Sequence, residues 1–161
     1  MATTVARLGT GHLAVPQGWT LVHQLEAVEP ARNADGLMTA AKALPVPPAR
    51  LQVVQRASAG ASPAGVMQGF VRDLSAAVRG LRVVEEAPFD FEDGAAGASV
   101  TVTFEILAGQ PVAQRHVFRV DGAVATHLQA SVPHASAARL GADLGRLLAA
   151  FRMDEQTRVA P

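Results

Sequence analysis

The sequence predicts an α+β domain: an antiparallel sheet of about six strands with helices packed on it. Three observations carry that expectation. Val100, Val102, Phe104 and Ile106 alternate with Thr101, Thr103 and Glu105, the two-residue period of a strand with one buried face. Asp121-Gly122 separates two further strand-like stretches and is a strong hairpin signal. Val66, Phe70, Leu74 and Val78 recur every four residues behind Ser62-Pro63, as on the buried stripe of a helix.

Taken in order, residues 12–15 read as a short strand closed by Pro16-Gln17-Gly18. Residues 19–28 read as a second strand, with Trp19 capping one end of the core. Residues 29–50 carry Pro30, Asn33, Asp35, Gly36 and Pro45-Val46-Pro47-Pro48. That is the chemistry of a loop-rich insertion, with a short helix possible over 36–44. Residues 51–57 form a strand whose adjacent Val53 and Val54 predict burial on both faces. A helix follows over 62–79. Ser62 serves as N-cap, and Pro63 takes the first helical position, where its missing N–H costs nothing. Gly80 supplies the left-handed residue that ends it.

Strands are then expected over 81–87, 100–107, 112–120 and 123–131. Their connections are a bend at Pro88, the turn Glu92-Asp93-Gly94, Gly109-Gln110 and the two-residue turn Asp121-Gly122. A last helix spans about 135–151, with Leu140, Leu144, Leu147, Leu148 and Phe151 as its buried stripe. Gly141 and Gly145 each cost about 1 kcal/mol there relative to Ala, so they mark either a close backbone approach or a weak helix. Residues 154–161 read as a frayed tail. The whole chain, 1–161, is expected to be one domain with its core between about 11 and 153.

Composition narrows the function. Lys plus Arg and Asp plus Glu both total 14, so no electrostatic footprint points to nucleic acid or an anionic membrane. Cysteine is absent, which removes disulfides, thiol nucleophiles and cysteine-ligated metals. No apolar run reaches the length of a signal core or a membrane span. A cytoplasmic protein without membrane insertion is the expectation. No phosphate loop, dinucleotide fingerprint or nucleophile elbow is present. Glu85 and Glu86 face opposite ways on a strand, and Glu92-Asp93 reads as a pair of solvated turn acids. No enzyme activity and no cofactor are expected.

Histidine is the remaining chemistry. If Asp121-Gly122 is a two-residue turn, His116 pairs directly with His127, with Thr103 and Glu105 on the same face. Such a pair could be polar sheet surface, a partner contact, or a metal or protonation site. Zinc needs three or four ligands, and only two histidines and Glu105 are candidates. On an exposed sheet surface, His116→Ala and His127→Ala would leave folding unchanged.

Three segments give the chain a family likeness: Pro16-Gln17-Gly18-Trp19, the strand Leu51 to Arg56 before a helix, and Gln110 to Arg115 followed by Asp121-Gly122. In these, and in the closing run Leu147 to Arg152, the sequence resembles the DcrB-related family over about residues 11–153. The resemblance implies a PsbP-like α/β/α sandwich. It also implies an adaptor chaperone, commonly a homodimer, that shields the hydrophobic or transmembrane helices of a type VI secretion effector before loading. Residues 29–50 are longer and richer in proline than that pattern.

A holder of apolar segments needs exposed apolar area. Val54, Val84, Leu107, Val112 and Phe118 are the candidates, placed on the face opposite Val102, Phe104 and Ile106, with His116 and His127 as polar partner contacts. The rival expectation is that these apolar residues form a second core. Two other functions remain open: an assembly subunit of a secretion or contractile machine, and a small-ligand binder using the His116/His127 face.

Overall fold

The computed structural model describes residues 4–8, 11–15, 20–23, 26–28, 32–33, 45–46, 49–107 and 109–154. Before residue 49 it gives the backbone path, with burial only at Gly11 and Leu13. Trp19 and the helix expected over 36–44 lie outside the described residues.

The chain runs β1 (Thr4–Leu8), β2 (Gly11–Val15), β3 (Thr20–His23), β4 (Glu26–Val28), β5 (Arg32–Asn33), β6 (Pro45–Val46), β7 (Arg50–Ala57) and α1 (Pro63–Ala77). It continues through β8 (Arg82–Asp90), β9 (Ala96–Leu107), β10 (Gln110–Asp121) and β11 (Val124–Pro133). A 3-10 helix (His134–Leu140), α2 (Asp143–Ala149) and β12 (Arg152–Met153) close it. Seven strands form the main sheet in the order β3-β4-β7-β11-β10-β9-β8, and every pairing in it is antiparallel. The α+β architecture is as expected. A smaller sheet, β1-β2-β12, brings the N-terminal strands against the C-terminal end.

The period of two places even-numbered side chains of β10 on one face and odd-numbered ones on the other. On the even face Val66 and Met67 of α1 pack against Ala98, Val100, Val102, Phe118 and Ala125. On the odd face Leu51, Val53, Val117 and Leu128 meet Leu140, Leu144, Leu148 and Phe151. Each fully buried Leu or Phe there contributes about 1.5–3 kcal/mol. Helices on both faces make a layered α/β/α structure, and β10 lies between two cores.

Local chemistry explains the boundaries. Ser62 Oγ accepts from the Gly65 N–H at 3.1 Å, capping α1 with Pro63 inside it. Gly80 takes the left-handed conformation just beyond (φ 77°). Pro88 does not bend the chain out of the sheet: it stays in β8, opposite Ala98. β8 is an outermost strand, where a missing N–H is tolerated.

Four further expectations change. The single strand over 19–28 is a hairpin, β3 with β4, in which Thr20 pairs with Val28. Val54 is 51% exposed while Val53 is buried, so β7 is buried on one face, at Leu51 and Val53, and not on both. The helix expected over 135–151 is broken at Gly141-Ala142 into the 3-10 segment and α2. There the Leu140 carbonyl accepts from Arg115 Nη1 at 3.2 Å. A Cβ on Gly145 would lie 2.8 Å from that same carbonyl oxygen, whereas one on Gly141 would meet nothing. Close approach is therefore the role of Gly145, and interruption that of Gly141.

The fourth change concerns Asp93, which is not a solvated turn acid. Its side chain is 7% exposed and bonds Arg119 Nη2 at 2.8 Å, while Arg119 Nε bonds Asp121 at 2.6 Å. Arg119 itself is fully buried and lies over the Phe91 ring. Burial alone would lower the Arg119 pKa, but the hydrogen bonds it donates to Asp121 and Asp93 raise it above its ordinary value. The cluster ties β10 to the β8–β9 connection. Arg119→Met would leave two buried carboxylates without their cation, which costs about 3–5 kcal/mol. Urea denaturation of this variant should show a loss of that size. A loss within error of zero would mean that the cluster does not hold the fold.

Candidate functional site

The β10–β11 hairpin turns one residue later than Asp121-Gly122. Asp121 pairs with Val124, so Gly122 and Ala123 form the loop. Gly122 has φ 57°, the positive value that a tight hairpin needs at its first central residue. Asp121 is kept in the ladder, where its carboxylate reaches Arg119. This moves the register by one pair: Phe118 faces His127, and His116 faces Gln129. The histidines are diagonal neighbours on the same face, and their rings still meet.

Gln114 Nε2 donates to Ser131 Oγ at 3.2 Å, which turns Gln114 Oε1 toward His116. That oxygen accepts from His116 Nε2–H at 3.1 Å. The His116 proton is thereby fixed on Nε2, so its Nδ1 accepts from His127 Nε2–H at 2.9 Å. Each neutral ring has one proton and one lone pair, and this arrangement uses both of the protons. Phe70 of α1 covers the pair, with ring centroids 4.5 Å from His116 and 4.7 Å from His127. Phe118 stacks on His127 from the other side.

The pair is therefore packed under α1, not displayed on a polar surface. His116 is 1% exposed, so His116→Ala would open a cavity rather than leave folding unchanged. Thr103 is not beside it, because Thr103 faces Ala113 at an odd position on the other side of the sheet. Glu105 pairs with Pro111 and is exposed. The arrangement with Glu105 is thus not assembled. Among the described residues no group of three or more His, Asp or Glu converges as a metal site.

The apolar candidates divide. Val54, Val84 and Leu107 are 51%, 61% and 64% exposed, and Ile106, which the alternation placed in the core, is 63% exposed. Val112 is half-buried and Phe118 fully buried. Val54, Val112 and Phe118 do not lie opposite Val102 and Phe104. Val112 pairs with Phe104, and Val54 with His127, so all share the α1 face. Phe118 belongs to the core beneath α1. Val84 sits in an irregularity of β8 between Val83 and Glu85.

α1 leaves the end of the sheet open where β9 turns into β10. One cavity of about 740 Å³ is floored by Gln52, Gln114 and Gln129 and walled by Ile106 and Val112. A second, of about 450 Å³, lies among Arg79, Arg82, Thr103 and Glu105. The two share Pro111 and His134. The carboxamide floor was missed in sequence because a lone Gln on a strand carries no signal. Its trace is that the pairing of β7, β11 and β10 puts Gln52, Gln129 and Gln114 on one face of the sheet.

No known family model and no curated protein matches the chain. Solved structures do. The Ran-binding protein Mog1p of Saccharomyces cerevisiae is similar over 98% of both chains, with TM-score 0.60 and 13% identity. A Pseudomonas aeruginosa protein of unknown function, suggested to be a regulator, matches with TM-score 0.58 and 15% identity over 92% of this chain and 95% of that one. The solution structure of cyanobacterial PsbP from Synechocystis matches with TM-score 0.49 and 14% identity over 89% and 86%. At such identities the likeness is one of fold. Among the described residues no helix is long and apolar enough to cross a membrane.

Both histidines are held neutral. Burial first, and His127 second, lower the His116 pKa from 6.5 to about 3. Burial and then the charge of Arg56 lower that of His127 to about 4. The unfolded chain therefore binds these protons at a higher pH than the folded one. Stability from the pair is full above about pH 6.5 and falls as pH drops toward 4 and then 3. Thermal midpoints measured from pH 7 to 4 should decline, and His127→Gln should flatten that decline. An unchanged acid limb in the variant would show that another group sets it.

Proposed function

We propose that this protein works by contact, holding a segment of another protein, and carries out no reaction of its own. The observation that carries the reading is the open end of the sheet. There the β9–β10 hairpin presents Ile106 and Leu107 to solvent beside a cavity, on a frame whose two cores keep it rigid. Apolar area exposed on a folded surface marks an interaction site more often than a chemical one. One protein of similar fold is a Ran-binding protein, which supports a binding role for such a frame.

The finer form of the proposal is a cytoplasmic, dimeric adaptor for a secreted effector of the type VI kind. Its support is the likeness to DcrB-related proteins in Pro16-Gln17-Gly18-Trp19, Leu51 to Arg56 and Gln110 to Arg115. The client would be a protein with hydrophobic or transmembrane helices, shielded until loading. Exposed aliphatic residues suit that client, and a chain without net charge does not repel it at long range. A ligand-binding role for the His116/His127 face fits less well, because the His127 proton is engaged by His116 and the His116 proton by Gln114.

Co-expression with the product of the neighbouring gene tests the proposal. The client's soluble yield should fall several-fold without this protein, and the two should co-purify. Ile106→Asp with Leu107→Asp should remain folded yet lose the client. A client equally soluble alone would sink the chaperone reading. Fixed-stoichiometry capture of a secretion-machine component would favour an assembly subunit instead.

A further inference from the structure

The smaller of the two cavities collects charged side chains that do not bond one another. It encloses about 450 Å³ among Arg79, Arg82, Thr103, Glu105, Pro111 and His134. The strand register gathers its floor on one face. Thr103 faces Arg82 across β9 and β8, and Glu105, two residues along β9, pairs with Pro111. Successive odd positions of a strand share a side, here the side away from α1. His134 opens the helical segment that packs on that side. Gly80, with φ 77°, turns the chain from α1 into β8 and leaves Arg79 on the rim. The carboxamides of the larger cavity lie on the α1 face and take no part.

The side chains of Arg79, Arg82, Thr103 and Glu105 make no hydrogen bond or ion pair among the described residues. Two further charges share the face. Glu85 stands opposite Thr101, outside the cavity. Arg115, also opposite Thr101, is held by the Leu140 carbonyl and Ser99 Oγ. The recess therefore offers two guanidiniums and one carboxylate, of opposite sign yet not neutralising each other. A simple anion would suit the arginines and be repelled by Glu105, and a simple cation would meet the reverse. A guanidinium fork binds a carboxylate through paired N–H groups, and a carboxylate binds an ammonium. The volume falls within the usual range for small-ligand pockets.

We propose that this recess binds a free acidic amino acid, glutamate or aspartate. Its two carboxylates lie on Arg79 and Arg82, its ammonium on Glu105, and the Thr103 hydroxyl donates to the nearer carboxylate. Such a ligand carries one more negative group than positive, and the recess carries one more positive than negative. The inference goes beyond the contact function above and does not depend on it, since no client residue enters the argument.

The test titrates the full chain, isotope-labelled for NMR, with L-glutamate and L-aspartate. The Thr103 amide and the Arg82 Nε–H should shift saturably with at least one of them, at a Kd of about 1 mM or below. Glutarate has the two carboxylates of glutamate but no ammonium, and should bind about fivefold more weakly, the size of one exposed ion pair. In Glu105→Gln that preference for the amino acid should vanish. Arg82→Gln, on an exposed stretch of β8, should weaken binding about tenfold at an unchanged thermal midpoint. The proposal is overturned if neither amino acid gives saturable shifts, or if Arg82→Gln binds as the wild type does. It is equally overturned if glutarate or inorganic phosphate binds the wild type as tightly as the amino acid, or if Glu105→Gln keeps the preference.

Discussion

The structure depends on one constraint: the middle of β10 has a strand on each side and a helical layer on each face, so its side chains there have almost no access to water. From His116 to Arg119 every side chain is buried. Apolar residues meet that demand by packing. Polar ones must find all their partners inside the protein, because an unsatisfied buried group costs about 1–3 kcal/mol. The two solutions differ by face. On the α1 side a neutral imidazole pair closes its own hydrogen bonds with help from Gln114. On the other side Arg119 keeps its charge and brings in two carboxylates, one from its own strand and one from the β8–β9 connection. The histidines thus escape the desolvation penalty by remaining neutral, and the arginine by remaining paired.

Much of the frame was legible in the sequence. α1, with its Ser62-Pro63 start and Gly80 end, follows from capping and a four-residue stripe. β9, β10 and β11 follow from alternation and turn residues. What failed did so for identifiable physical reasons. Asp121-Gly122 was read as the turn because that dipeptide fits one, yet the Asp121 carboxylate has a stronger engagement with Arg119 inside the ladder. The C-terminal helix was extended through Gly141 because its leucines keep a helical period. The Leu140 carbonyl, however, is taken by Arg115 from a strand distant in sequence. Ile106 belongs to the alternating stripe but lies beyond the end of α1, where nothing covers it. Of these, the Arg115 contact joins segments far apart in the chain, whereas the Asp121–Arg119 pair is local.

The site shows the same division. Pairing of His116 with His127 was visible from strand spacing, because a register change of one pair keeps both rings on one face. Their burial was not visible, since it depends on where Phe70 of α1 comes to rest. The binding potential at the end of the sheet arises from four strands and the start of a helical segment, none of which carries a motif. Such a surface is assembled by topology.

The irregularity at Val84 has a consequence for how the molecule behaves in a crowd. β8 is the last strand of its sheet, and a straight outer strand invites the backbone of any passing chain to add itself as the next one. The extra residue between Val83 and Glu85 interrupts the spacing of the outward N–H and C=O groups, and Pro88 removes one donor further along. With Arg82, Glu85 and Glu86 exposed on the same strand, an incoming ribbon would have to desolvate charge to dock on a broken ladder. The β8 edge of the sheet is in this way kept from pairing with the same edge of another copy.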